Sequence, residues 1–248
     1  MFELHEFVLV SIIGLLAFYL KGLMGTGTTT VLVSLCSFFL EPKSCIVIAS
    51  FINVFGGFAM LKIDSVTLPK PFWLPITIAM VVGSVLGAQA LSLIDPMLFK
   101  LVLGVIFLLV SLWFLLSDVA ISPNEGRYKV ATMADLLIAA FAGLCGGFIG
   151  INAPLLVIHF GSYLPKEFLR KLLVIIFIPA AIAQTSTFWI NGLLSIREIV
   201  LSLTIIPMML VGVHLGNRAF ISISAKQFRI ALGLLLMAAS MPLLSGSA

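Results

Sequence analysis

Apolar residues run along this chain in eight blocks, at about residues 7–40, 44–61, 72–93, 97–117, 134–163, 168–190, 198–217 and 227–244, separated by charged or proline-containing punctuation. Most blocks are close to the ~20 residues that carry a helix across the hydrocarbon core of a bilayer. Two of them, 7–40 and 134–163, are long for one crossing and short for two. Each is interrupted, the first by Lys21-Gly22-Leu23-Met24-Gly25-Thr26-Gly27-Thr28-Thr29-Thr30 and the second by Gly146-Gly147-Phe148-Ile149-Gly150-Ile151-Asn152-Ala153-Pro154. Glycine loosens a helix, and Thr and Asn side chains compete for its backbone partners, so both stretches predict helix breaks at membrane depth. Irregular backbone survives there only where it is buried in protein or lines a watery cavity.

Composition agrees with that pattern. Of 248 residues, 61% are hydrophobic and 10% charged, against about 25% charged in a soluble domain. The expectation is an all-α polytopic membrane protein with the lipid bilayer as its surroundings and no soluble domain. A net charge of +4, spread over loops, suits topology signalling and speaks against a nucleic-acid partner. The N-terminus, Met1-Phe2-Glu3-Leu4-His5-Glu6, lacks the basic region of a secretory signal, so the first block is expected to remain as a membrane element. Cys36, Cys45 and Cys145 form no CxxC or metal-like cluster and read as small buried apolar residues. No metal or cofactor is expected.

The chain is internally duplicated. Val82-Gly83-Ser84-Val85-Leu86-Gly87-Ala88 matches Val211-Gly212-Val213-His214-Leu215-Gly216-Asn217, and the same offset brings Phe99-Lys100 onto Phe228-Arg229 and Gly104 onto Gly233. Upstream, Gly22 pairs with Gly147, Gly25 with Gly150, and Pro42-Lys43 with Pro165-Lys166. This gives a first half at 1–117, a linker at 118–134 and a second half at 135–248, each half holding a broken or re-entrant first element and three transmembrane helices. If each broken block crosses once, the Lys and Arg residues other than Lys21 divide eight against five. If each enters and returns, they divide ten against three, with Lys43, Lys100 and Arg197 alone on the sparse side. The positive-inside rule prefers the lopsided count, which makes the halves inverted repeats with both termini outside the cytoplasm.

Inverted breaks aim two half-helix N-termini at the midplane from opposite sides. Their free N–H groups and dipoles form an anion site without requiring a fixed charge. Thr28 to Thr30 open the first returning half-helix; Pro154 suits the first position of the second, with Asn152 or Ala153 as its cap. The candidate substrate-binding residues are Lys21, Gly25, Thr26, Gly27, Thr28, Thr29, Gly150, Asn152, Ala153 and Pro154, with Asn53, His159 and Gln184 as pathway candidates. His159 is the foremost titratable one. Lys21, whose repeat mate is Gly146, has two readings of equal weight: a hairpin-tip lysine reaching the headgroups, or a contact to the substrate anion. Thr185, Thr187, Asn191 and His214 read mainly as helix-to-helix glue, Arg218 as a snorkelling end residue, and Gly83/Gly87 and Gly212/Gly216 as close-packing faces. No Asp or Glu is expected inside an apolar block, which leaves a carboxylate proton relay without a candidate. Gly22 to Thr29 mimics P-loop spacing, but Thr28 stands where Lys is needed.

The two Gly-rich breaks, the Pro-Lys turns after them, the Gly-xxx-Gly helices and the final Phe-Lys/Arg helices resemble the sulfite/sulfonate exporter family, TauE/SafE or TSUP, over nearly the whole chain. The usual family run, of the type Gly-Leu-Phe-Gly-Ile-Gly-Gly-Gly, stands here as Gly22-Leu23-Met24-Gly25-Thr26-Gly27-Thr28-Thr29 and Gly147-Phe148-Ile149-Gly150-Ile151-Asn152-Ala153-Pro154. Both versions replace flexible glycines with Thr, Asn, Ala and Pro. The resemblance implies a permease of a prokaryotic inner membrane, often an exporter, for a small organosulfur anion such as sulfite, a sulfonate or sulfoacetate, and no enzyme activity. A passive anion channel and a carboxylate permease share the same site and stay open as alternatives. A membrane thiol-disulfide relay is disfavoured, because Cys36 aligns near Gly161 and Cys145 near Leu20 rather than with each other. The coupling ion, proton or sodium, and a homodimer stay open.

Overall fold

A computed structural model describes residues 4–61, 66–116, 130–219 and 225–245. Every regular element among them is a helix: α1 Leu4–Met24, α2 Thr28–Cys36, α3 Pro42–Met60, α4 Lys70–Leu93, α5 Pro96–Leu116, α6 Met133–Ile149, α7 Ala153–Gly161, α8 Lys166–Ile190, α9 Ile196–Arg218 and α10 Ala225–Ser245. Six helices are long and apolar enough to cross a membrane. Large apolar side chains such as Ile12, Ile78, Leu109, Leu137 and Leu210 stand exposed on the outer faces, where lipid takes the place of a protein core. Most of the expected linker, its residues 118–129, lies outside the described residues.

Side-chain contacts sort the helix ends into two groups. At one end, Arg197 at the start of α9 holds Glu6 at the start of α1 (2.8 Å), and Glu198 accepts from Ser44 at the start of α3 (3.1 Å). There too Lys43 donates to the Ile94 carbonyl that closes α4 (2.6 Å). At the other end, Lys171 near the start of α8 donates to the Leu61 carbonyl after α3 (2.7 Å). The Ala131 N–H donates to Pro71 O (3.3 Å), and Tyr163 donates to Asp135 in the first turn of α6 (2.8 Å). Both broken blocks are therefore hairpins. α1 and α2 leave from and return to the first end, and α6 and α7 do the same at the second.

Close backbone approach fixes each hairpin against a helix distant in the sequence. A Cβ on Gly83 of α4 would lie 1.9 Å from Ala140 O of α6, and one on Gly147 of α6 would lie 2.3 Å from Ser84 O. The other pair repeats the arrangement: a Cβ on Gly216 of α9 would lie 2.0 Å from Tyr19 O of α1, and one on Gly22 would lie 2.6 Å from Val213 O. The Gly-xxx-Gly faces read from the sequence thus pair α4 with α6 and α9 with α1. The last helices of the halves, α5 and α10, run antiparallel side by side, with Ser111 donating to Gly233 O (2.8 Å) and Gly104 against Leu243 and Leu244.

Two expectations need correction. Asp135 and Glu198 do lie inside apolar blocks and are buried. Each closes a capping box, Asp135 with Thr132 and Glu198 with Ser195, so their oxygens satisfy the free N–H groups of a helix start. The second correction concerns the cysteines: Cys36 and Cys45 are buried, but Cys145 is only half-buried.

Candidate anion site at the paired helix breaks

Both breaks use the same backbone device. α1 ends on Gly25 and α6 ends on Gly150, each with φ of 77°. Each glycine N–H returns to the carbonyl four residues back, Gly25 to Lys21 O at 2.7 Å and Gly150 to Gly146 O at 3.1 Å. A left-handed residue after the last turn ends a helix, and glycine adopts it without a Cβ penalty. In the first break Gly27, with φ of 96°, turns the chain once more into α2. The two tips touch, since a Cβ on Gly150 would lie 2.9 Å from Thr29 Cγ2.

Half-helix α2 starts without a side-chain cap, and the earliest amide of its turn to find a helical carbonyl is that of Val31, on Gly27 O. The N–H groups of Thr28, Thr29 and Thr30 are thus open to a ligand, at the positive end of the helix dipole. Half-helix α7 also lacks a side-chain cap on Asn152, but Pro154 removes one of its donors. The first break is the stronger donor of the two.

A cavity of about 30 Å³ lies where the breaks meet. Lys21, Thr26, Gly27, Thr28, Thr29, Asn152, Asn53 and Gln184 line it, all of them anticipated from the sequence. Gly25, Gly150, Ala153 and Pro154 do not line it: they shape the turns behind. Ser50, Ser84, Phe177, Ala180 and Ala181 also line it. Nothing in their local sequence singled them out, apart from Pro179 in the middle of α8 beside three of them.

Lys21 is only 2% exposed, which excludes a headgroup-reaching lysine. Its Nζ donates to Asn53 Oδ1 at 2.6 Å and sits 5.7 Å from the centre of the Phe18 ring. Asn53 Nδ2 in turn donates to Thr29 Oγ1 at 2.8 Å. That bond occupies an acceptor position on Thr29 and leaves its own O–H to point onward. Thr28 Oγ1, on the same rim, is buried with no hydrogen-bond partner. On α8, Gln184 Nε2 donates to Gly146 O at 3.3 Å.

His159 is not brought to the cavity. Its Nε2 lies 2.6 Å from Asp135 Oδ1, which also accepts from Tyr163, so the group ties α7 to the base of α6. Thr185 pairs with Ser50 (3.0 Å) and Asn191 with Gln89 (2.9 Å) as contacts between helices, whereas Thr187 bonds within its own helix. His214 and Arg218 are exposed. Below the first break Arg170 of α8 donates to Gly22 O and to Asn217 Oδ1, each at 3.2 Å, and its Cγ would lie 2.9 Å from a Cβ on Gly25. A guanidinium against the last carbonyls of α1 complements the negative end of that helix.

No curated protein and no solved structure matches the chain. The family model of the sulfite exporter TauE/SafE matches residues 10–243, which take in both breaks, both Gly-xxx-Gly helices and the cavity between them. The chain belongs to the TauE/SafE sulfite exporter family of membrane transporters.

Proposed function

We propose that this protein is a secondary transporter that exports a small oxyanion, sulfite or a related organosulfur anion, across a prokaryotic inner membrane. The anion binds between the two breaks and alternating access exposes it to either side. One observation carries the reading. A buried lysine, three open helix amides and an unpartnered threonine hydroxyl surround the cavity at the start of α2, and no carboxylate among the described residues lines it. Such a set of donors holds negative charge.

The two hairpins, one from each end of the bundle, support inverted halves at 1–117 and 135–248. Both termini then lie on the non-cytoplasmic side. The test is flux of sulfite in proteoliposomes with imposed pH and sodium gradients. Saturable flux that shows counterflow is expected of a carrier, and non-saturating flux would favour a channel. Absence of flux for sulfite, sulfonates and carboxylates alike would refute the reading.

A further inference from the structure

The cavity holds, besides its donors, an acceptor whose direction is fixed. Gln184 is 8% exposed, and its Nε2 is committed to Gly146 O, a group that can only accept. The amide oxygen therefore faces the other way. It accepts no hydrogen bond from any described residue, and it is not sealed inside the packing. Gln184 also lines the cavity. The Thr28–Thr29 start of α2 lines the same small cavity, so a single small ligand bound there meets both.

We propose, resting on the anion-site reading above, that the cavity selects the singly protonated form of an oxyanion, with Gln184 as the specificity-determining residue. Two unprotonated oxygens of the ligand take hydrogen bonds from Thr28, Thr29, the α2 amides and Lys21. The remaining oxygen carries its proton and donates it to Gln184 Oε1. Thr28 Oγ1, buried without a partner, and Gln184 Oε1, which accepts from no described residue, are the donor and acceptor such a ligand completes. A fully deprotonated anion offers Gln184 only a lone pair, and two acceptors repel.

The ionisable groups facing the ligand are few. α1 contributes Lys21; α2, α3, α4 and the cap of α7 contribute only neutral Thr, Ser and Asn; α8 contributes Phe177, two alanines and Gln184. Arg170 lies behind Gly25 and does not line the cavity. Loss of the Lys21 proton would weaken every anion alike, so an anion that never takes up a proton isolates that contribution.

The test uses the full chain in detergent and two probes, sulfite and methanesulfonate. Both are singly charged below the second ionisation of sulfite, but methanesulfonate carries three unprotonated oxygens and a methyl group and has no O–H to donate. Sulfite should bind about tenfold or more tightly at that pH. Its advantage should fall about tenfold per pH unit above its second ionisation, while methanesulfonate follows Lys21 alone. Gln184→Leu should bring the two probes to equal affinity. Equal binding of both probes by the unaltered protein, or an advantage for sulfite that survives in Gln184→Leu, would overturn the proposal. Saturable binding of neither probe would remove the anion site itself, and the proposal with it.

Discussion

Replacing Lys21 by Met separates what the site needs from what the fold needs. Methionine keeps an unbranched apolar stem over Phe18 but removes the ammonium. A unit charge about 4 Å from an anion is worth about 4 kcal/mol at an effective dielectric constant near 20. The α2 amides and threonine hydroxyls remain, so the expected loss of affinity is ~2–4 kcal/mol, about 30- to 1000-fold. Stability should move the other way. Lys21 is buried with an amide rather than a carboxylate as its acceptor. Removing it relieves a desolvation penalty of several kcal/mol and leaves Asn53 Oδ1 without its donor, at ~1–3 kcal/mol. The variant should melt at the same temperature or higher and bind sulfite far more weakly. Sulfite titration and thermal unfolding of the same detergent preparation, followed by tryptophan fluorescence, read both. The reasoning fails if Lys21→Met binds sulfite within about threefold of the unaltered protein, or if it loses binding only because it melts early.

Asn53→Asp supplies Lys21 with an internal counter-charge. Sulfite binding should drop at least about tenfold with the melting temperature kept, and unchanged binding would show that the ammonium does not face the anion. Gly216→Ala puts a Cβ 2.0 Å from Tyr19 O, so α9 and α1 must part; a loss of ~1–3 kcal/mol or more is expected in thermal unfolding. The control is Gly192→Ala, where φ is +71° but nothing lies within 4 Å, at a cost of about 1–2 kcal/mol. Thr132→Ala removes the hydroxyl that accepts from the Asp135 N–H. It should lower stability by about 1 kcal/mol and leave anion affinity unchanged, since the capping box lies at the base of the second hairpin.

The breaks were legible in the sequence because glycine and threonine at membrane depth contradict a continuous helix, and because Gly25 and Gly150 recur at matching places. Their identical φ shows why those glycines are needed. The Lys/Arg distribution separated hairpins from single crossings, since a returning block reverses every loop after it. Lys21 stayed ambiguous: burial depends on Asn53 and Phe18, and Asn53 stands a whole helix away along the chain. His159 misled because proximity to Pro154 in sequence says nothing of side-chain direction, and the imidazole reaches across to Asp135 at the base of α6. The capping boxes Thr132/Asp135 and Ser195/Glu198 were readable motifs, overlooked because acidic residues at block edges passed for punctuation. Ser50, Ser84, Phe177, Ala180 and Ala181 carried no signal, because in an all-apolar helix the cavity-facing and lipid-facing sides look alike.

The glycine contacts of α4 with α6 and of α9 with α1 also limit how such a molecule can move. Where one backbone lies against another at van der Waals distance, no flexible side chain is left to absorb a slide. Each contact bolts a long hairpin limb to the opposite half, and the two together make a cross-braced chassis. The compliant parts are then the short limbs α2 and α7, suspended between glycine joints, and α8, which carries Pro179 level with the cavity. In the alternating-access reading proposed above, opening towards either side would be a matter of swinging these struts within a stiff frame.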